Sequence, residues 1–252
     1  MKEILLETEK LSKSFSNGGT MQHVLKNIDL QLYRGDFTVI MGASGAGKST
    51  LLYALSGMDT PTLGTITFGK KVISDLNSDG LALFRRAHCG FVFQQIYLID
   101  GMSVMDNVLS AGLLVSRDKK ALVTKAKALF AAVDISEETQ KKFPAQLSGG
   151  EAQRVGIVRA LINSPEIVFA DEPTGALNSK TGLDVLDTLT GFHEQGQSVV
   201  MVTHDMRSAC RGNRILYLKD GMILGECDLG RYSHSDIQRH EKLSAFLKEM
   251  GW

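Results

Sequence analysis

Residues 42–49 read GASGAGKS, glycines at short intervals followed by a lysine and a hydroxyl. That spacing suits one task, the cradling of a phosphate chain. Gly42, Gly45 and Gly47 let the backbone turn tightly and aim N–H groups at phosphate oxygens, with Ala43, Ser44 and Ala46 completing the loop. A helix opening near Lys48 turns its positive end on the same oxygens. Lys48 supplies a point charge between the β and γ phosphates, Ser49 offers a hydroxyl to Mg²⁺, and Thr50 follows on the same turn. An apolar run precedes the loop and leucines follow it, as a strand–loop–helix setting requires.

Two further segments carry chemistry. EIVFADEP, residues 166–173, is an apolar run that ends in two carboxylates. A buried strand of this kind delivers Asp171 and Glu172 to its C-terminal end, where ligands bind in open α/β sheets. Asp171 suits Mg²⁺ held through water, and Glu172 can orient or deprotonate an attacking water. Alone, the segment reads equally well as a strand ending in a solvated acidic turn before Pro173; the phosphate loop shifts the balance. LSGGE, residues 147–151, opens a helix that holds Val155 and Val158. Gly149 and Gly150 expose backbone N–H groups there, and Ser148 adds a hydroxyl, which makes a second anion site. Glu151 is also placed as the capping-box partner of Ser148.

LSGGE, taken with GASGAGKS, Gln94, EIVFADE and His204 in this order, resembles the ATPase subunit of ABC transporters over about residues 1–228. The resemblance implies an α/β P-loop NTPase core (RecA-like, mostly parallel sheet) with an antiparallel β subdomain and an inserted helical subdomain. It implies ATP and Mg²⁺, and a head-to-tail dimer in which Ser148, Gly149, Gly150 and Glu151 of one copy close on the ATP of the other. Phe15, in KLSKSF, matches the aromatic that stacks on adenine; the alternative is a core phenylalanine. Gln94, in GFVFQQ, matches the residue that reaches Mg²⁺ and links the ATP site to a transmembrane partner, so Ser49, Gln94 and Asp171 form the metal set. His204, in MVTHD, matches the histidine that bonds the γ-phosphate, and Glu172, His204 and Lys48 are the catalytic set. Asn178 stands where the family usually has Asp, which keeps the turn and loses a charge.

Within the family, GFVFQQ, LSGGEAQRVGIVRAL, ADEPTGALNSKTG and MVTHD resemble the short ATPases of the lipoprotein-release, macrolide-export and antimicrobial-peptide-resistance group. It implies separate permease chains, a peripheral place on the cytoplasmic face of the membrane, no nucleic-acid partner, and export or extraction of a peptide, lipid-linked or drug-like substrate. A septation-type complex that transmits mechanical signals is the alternative. The apolar Tyr97, Leu98, Ile99, Met102 and Met105 fit a groove for a permease helix, against a reading as ordinary packing.

These residues need elements to hold them. Residues 27–32 alternate apolar and polar as a half-buried strand does, whereas FTVIM (37–41), FVF (91–93), EIVFA (166–170) and SVVMV (198–202) are nearly all apolar, as strands buried on both faces are. RILYL (214–218) and MIL (222–224) predict a hairpin through KDG. Leu51, Leu52 and Leu55, then Leu122, Val123, Ala126, Leu129, Phe130 and Val133, then Val155, Val158, Leu161 and Ile162 fall on helix faces, and so do Leu243, Phe246, Leu247 and Met250. The expected division of 1–252 is a single nucleotide-binding domain. Its core takes about 1–95 and 161–230, the helical insertion about 96–160, and the helical tail about 231–252.

Composition bounds the rest. The chain has 252 residues, 28 Lys+Arg and 28 Asp+Glu, so its formal charge is zero, which argues against a protein that coats nucleic acid or an anionic membrane. Three cysteines without metal-ligand spacing predict buried thiols rather than a disulfide framework. No run of 18 apolar residues predicts a membrane span, and MKEILLETEK does not read as a signal peptide. A GTPase would need an N-K-x-D motif and a chromosome-maintenance ATPase a long heptad coiled coil between the motifs; neither pattern is present.

Overall fold

The computed structural model describes residues 2–236 and 238–252. In chain order the elements are β1 (Ile4–Asn17), β2 (Thr20–Tyr33), β3 (Phe37–Met41), α1 (Lys48–Leu55), β4 (Leu63–Phe68), β5 (Lys71–Val72) and α2 (Ser78–His88). They continue with β6 (Cys89–Phe93), α3 (Val104–Gly112), α4 (Lys119–Ala132), α5 (Gly149–Leu161), β7 (Ile167–Asp171) and α6 (Ser179–Glu194). β8 (Ser198–Thr203), α7 (Met206–Ala209), β9 (Arg214–Lys219), β10 (Met222–Asp228) and α8 (Gln238–Glu249) complete the chain. Two compact units result, one that runs to Arg85 and resumes from Ser198, the other Arg86–Gln197.

The first unit holds two sheets. β1 pairs antiparallel with β2 and β4, and β4 with β5. β3 lies between β8 and β9, parallel to both, and β10 closes antiparallel on β9. All five residues of β3 and all six of β8 are buried, so their uninterrupted apolar character is what burial on both faces demands. The β9–β10 hairpin turns on Asp220 and Gly221, both at positive φ (50° and 79°), the geometry a two-residue turn needs to match strand twist.

β1 and the first half of β2 are not visible as alternation, and the register shows why. Lys10 (φ 49°) and Asn27 (φ 47°) sit at irregularities between Thr8 and Leu11 and between Leu25 and Ile28. Each irregularity flips the side of the sheet that later residues face, so the apolar positions fall out of a period of two.

The second unit packs α3, α4 and α5 around Val104, Val108, Leu122, Ala126, Phe130, Val155, Val158 and Ile162. β6 pairs parallel with β7, from Cys89 opposite Ile167 to Phe93 opposite Asp171. Leu98 and Met105 are packed against this helical core, which corrects the expectation that they line an exposed groove; Tyr97, Ile99 and Met102 are exposed. The three cysteines are free, with Cys89 and Cys227 buried and Cys210 only half-buried. Among the described residues no helix is long and apolar enough to cross a membrane.

Candidate active site

In the first unit the loop after β3 bends where its glycines allow. A Cβ on Gly42 would stand 2.2 Å from the Leu218 carbonyl oxygen of β9, so only glycine fits that approach. Gly45 (φ 79°) and Gly47 (φ 101°) take left-handed backbone. Gly47 caps α1 with no side-chain hydrogen bond, and the first turn of α1 carries no acidic residue. The leading amides of α1 and its positive dipole end therefore face the loop without a competing carboxylate from the helix itself. Lys48 is buried, and its Nζ donates to the carbonyl oxygens of Gly42 (2.9 Å) and Ala43 (3.0 Å). Those bonds hold the ammonium along the loop. Ala43, Ser44 and Gly45 are exposed, and Ser49 and Thr50 are half-buried on the first turn of α1.

Phe15 lies on β1 and is 44% exposed, which removes the core reading for it. Lys13, two residues earlier on the same face, places Nζ 5.0 Å from the Phe15 ring centroid and 2.7 Å from Asp59 Oδ1. Lys13 was not visible as part of this group from sequence; the i, i+2 spacing along a strand is the signal that could have found it. His204 follows β8 and is exposed, while the next residue, Asp205, caps α7 by accepting from the Ser208 amide (2.7 Å).

In the second unit Asp171 is the last residue of β7 and is buried. Glu172 follows at φ 47°, half-buried, and its carbonyl accepts from the Gly175 amide at 3.0 Å. A non-glycine residue held at positive φ stores roughly 1 kcal/mol or more, and here it ends the strand directly after Asp171. Gln94 reaches this same turn: a Cβ on Gly175 would stand 2.8 Å from Gln94 Nε2. Gly175 is thus small because Gln94 lies against it.

The start of α5 is built differently from that of α1. Ser148 accepts from the Glu151 amide (3.3 Å), and Glu151 Oε2 accepts from the Ser148 amide (2.8 Å) and from its hydroxyl (2.7 Å). This reciprocal box satisfies the first orphan donors of the helix. The hydrogen bonds from the Ser148 amide and then its hydroxyl hold the Glu151 carboxyl below its usual range, against the opposing pull of burial. Ser148 and Gly149 remain exposed. Gly150 is buried, and a Cβ there would meet Thr181 Cγ2 at 2.1 Å. Asn178 caps α6, its Oδ1 accepting from the Thr181 amide and hydroxyl, both at 3.0 Å, so the amide does keep the turn.

Residues 25–175 match a family model described as ABC transporter. The chain is 41% identical over 220 residues to an uncharacterized ABC transporter ATP-binding protein, MJ1508, of Methanocaldococcus jannaschii, covering 87% of this chain and 98% of that protein. It is 42% identical over 226 residues to the macrolide export ATP-binding/permease protein MacB 1 of Aeromonas hydrophila, covering 90% of this chain. It spans only 35% of the length of that second relative. Among solved structures, the ATP-binding cassette MJ0796, a dimer in a post-hydrolysis state bound to ADP and phosphate, superposes with a TM-score of 0.83 at 38% identity. That match covers 90% of this chain and all of the other.

Proposed function

Since the chain belongs to the ABC transporter family of ATP-binding domains, we propose that it hydrolyses ATP between two head-to-tail copies of itself and so drives separate membrane permease chains. The observation that carries this reading is the pair of unlike helix starts. α1 begins behind a glycine loop with no side-chain cap and no acid in its first turn, and α5 offers an exposed serine and glycine at its start. A triphosphate held by the first has charge left over for the second. The similar cassette MJ0796, a dimer in a post-hydrolysis state with ADP and phosphate, supports a pairing of cassettes that turns ATP over.

Each residue then has a task in ATP + water → ADP + phosphate. Loop amides and Lys48 bind the β and γ phosphates, and Phe15 receives the adenine. Ser148 and Gly149 from the second copy complete the cage, and His204 holds the γ-phosphate by hydrogen bonding. Glu172 orients the attacking water and takes its proton. Ser49, Gln94 and Asp171 present hydroxyl, amide and carboxylate oxygens, a donor set suited to Mg²⁺, which when bound neutralises charge on the phosphates. Preorganised donors of this kind stabilise the charge that develops in the transition state.

We place the protein on the cytoplasmic face of a membrane, held there by permease chains against the exposed Tyr97, Ile99 and Met102. Residues 96–160 act as a helical insertion within one nucleotide-binding domain. The likeness to macrolide export proteins supports export or extraction of a peptide, lipid-linked or drug-like substrate. The test is Glu172→Gln with radiolabelled ATP. Binding persists and turnover falls roughly 10²- to 10⁴-fold, the worth of a positioned general base; turnover at the parent rate contradicts the assignment.

A further inference from the structure

The segment that leaves β6 through Gln94 has no regular structure from 94 to 103, so its carbonyls need partners from elsewhere. α5 supplies them from one stripe. Gln153, buried, donates Nε2 to the Phe93 carbonyl at 2.9 Å. Arg159 donates Nη2 to Ile96 O and Nη1 to Tyr97 O, both at 2.6 Å. Between them Gly156 leaves room for Ile96: a Cβ there would stand 3.1 Å from Ile96 Cγ2. Residues 153, 156 and 159 are spaced by three, which puts them on one face of the helix.

The far end of the segment is pinned as well. The buried Asn107 on α3 accepts from the Ile99 amide (2.7 Å) and donates to the carbonyls of Ile99 (3.1 Å), Met102 (3.1 Å) and Ser103 (3.0 Å). Tyr97 itself sits at φ 52° and is 62% exposed, with its ring edge-on to Phe93 at 5.6 Å. The result is a strap fixed at both ends that presents Tyr97 and Ile99 outward. Its tightest anchor, Arg159, lies on the same rigid helix that begins with Ser148.

We propose that Arg159 is a positioning residue that ties the 96–97 strap to α5, so that displacement of the strap and placement of Ser148 on a partner's nucleotide are one motion. This inference rests on the head-to-tail reading above and deepens it. Eleven residues separate Ser148 from Arg159, about 16 Å of helix, a span that a packed α-helix crosses as a rigid rod. Coupling of this kind is reciprocal: closure at Ser148 restrains the strap as much as a load on the strap restrains Ser148. The guanidinium is suited to the task because its planar fork gives each of the two adjacent carbonyls a nitrogen of its own, which fixes the orientation of the strap as well as its distance.

Hydrogen exchange separates the possibilities. Amides of 149–152 and of 95–98 are followed with and without ATP and Mg²⁺, in Glu172→Gln and in Glu172→Gln with Arg159→Gln. ATP slows 149–152 in both proteins. It slows 95–98 by roughly tenfold where Arg159 is intact and by less than about twofold where it is Gln. Slowing of 95–98 that survives Arg159→Gln overturns the proposal, and so does its absence in the parent while 149–152 respond. If ATP slows neither segment in the parent, the head-to-tail reading itself falls, and this inference with it. Should Arg159→Gln fail to fold, Arg159→Lys, which keeps the charge but a single donor nitrogen in place of the fork, gives an intermediate slowing, and full slowing overturns. In the chain with Glu172 intact, Arg159→Lys lowers kcat severalfold and leaves the KM for ATP within about twofold. A joint change of both constants, or of neither, contradicts a positioning role.

Discussion

The first turn of α1 and the first turn of α5 are both offered here to phosphate, yet they are prepared in opposite ways. α1 begins at a left-handed glycine with no side-chain cap and no acid, and Lys48 is drawn alongside by two loop carbonyls. α5 begins with a closed box in which Glu151 takes both the amide and the hydroxyl hydrogen of Ser148. The difference teaches that an anion site can be left standing or kept latched. At α1 neither a capping side chain nor an acid of the first turn stands between the loop and the nucleotide. At α5 the one hydroxyl proton is already committed to a carboxylate, and a second anion must displace it. A latched site engages only when the alternative partner is close and highly charged, which suits a contact that forms and breaks each cycle.

The largest expected effect falls on the standing site. Lys48→Ala removes a charged donor, and hydrogen bonds to charged groups are worth about 1.5–3 kcal/mol, so ATP affinity falls roughly tenfold to a hundredfold in a binding titration. An unchanged affinity breaks the account of α1. Gly47→Ala comes next. It forces a side chain onto φ 101° and brings a Cβ to 3.1 Å from the Val24 carbonyl, so thermal unfolding moves several degrees lower, in line with about 1–3 kcal/mol of backbone strain.

Glu151→Gln sharpens the contrast at the latched site. Gln preserves the capping box and removes the charge. In the Glu172→Gln background, sedimentation with ATP shows a dimer a few-fold tighter, since one like charge near the phosphate is gone, about 0.5–1 kcal/mol at a partly exposed site. The same change tests a pH dependence. The carboxyl of Glu151 is depressed in the folded chain, so it contributes stability that is present above the ordinary carboxylate pKa and lost as pH falls through the lower folded value. Glu151→Gln removes that increment, and its melting temperature falls less steeply on acidification than the parent's. The smallest effect is Asn178→Asp. Both residues cap helices equally well, so stability stays within about 0.5 kcal/mol of the parent by chemical denaturation.

Much of this contrast was legible in the sequence. GASGAGKS and LSGGE announce their turns through glycines, and the serine–glutamate spacing of three gives the box directly. FTVIM and SVVMV are readable because burial on both faces leaves no room for a polar residue. β1 was not readable, because Lys10 and Asn27 break the alternation, and α2 was not, because only Leu81 and Phe84 of its 11 residues are buried. Leu98 and Met105 misled for a related reason: an apolar residue in a loop looks the same whether it meets a neighbouring helix or solvent. The clamps from Gln153 and Arg159 join segments about 60 residues apart, and no local pattern marks their partners.

The central claim is that each site takes its glycine loop from one copy and its Ser148 from the other. Mixing two inactive variants, Lys48→Ala and Ser148→Arg, and measuring phosphate release tests it. Head-to-tail sharing gives every heterodimer one site with both defects and one with none. Statistical mixing then restores about a quarter of the parent activity. A mixture as inactive as either variant alone would contradict the shared site.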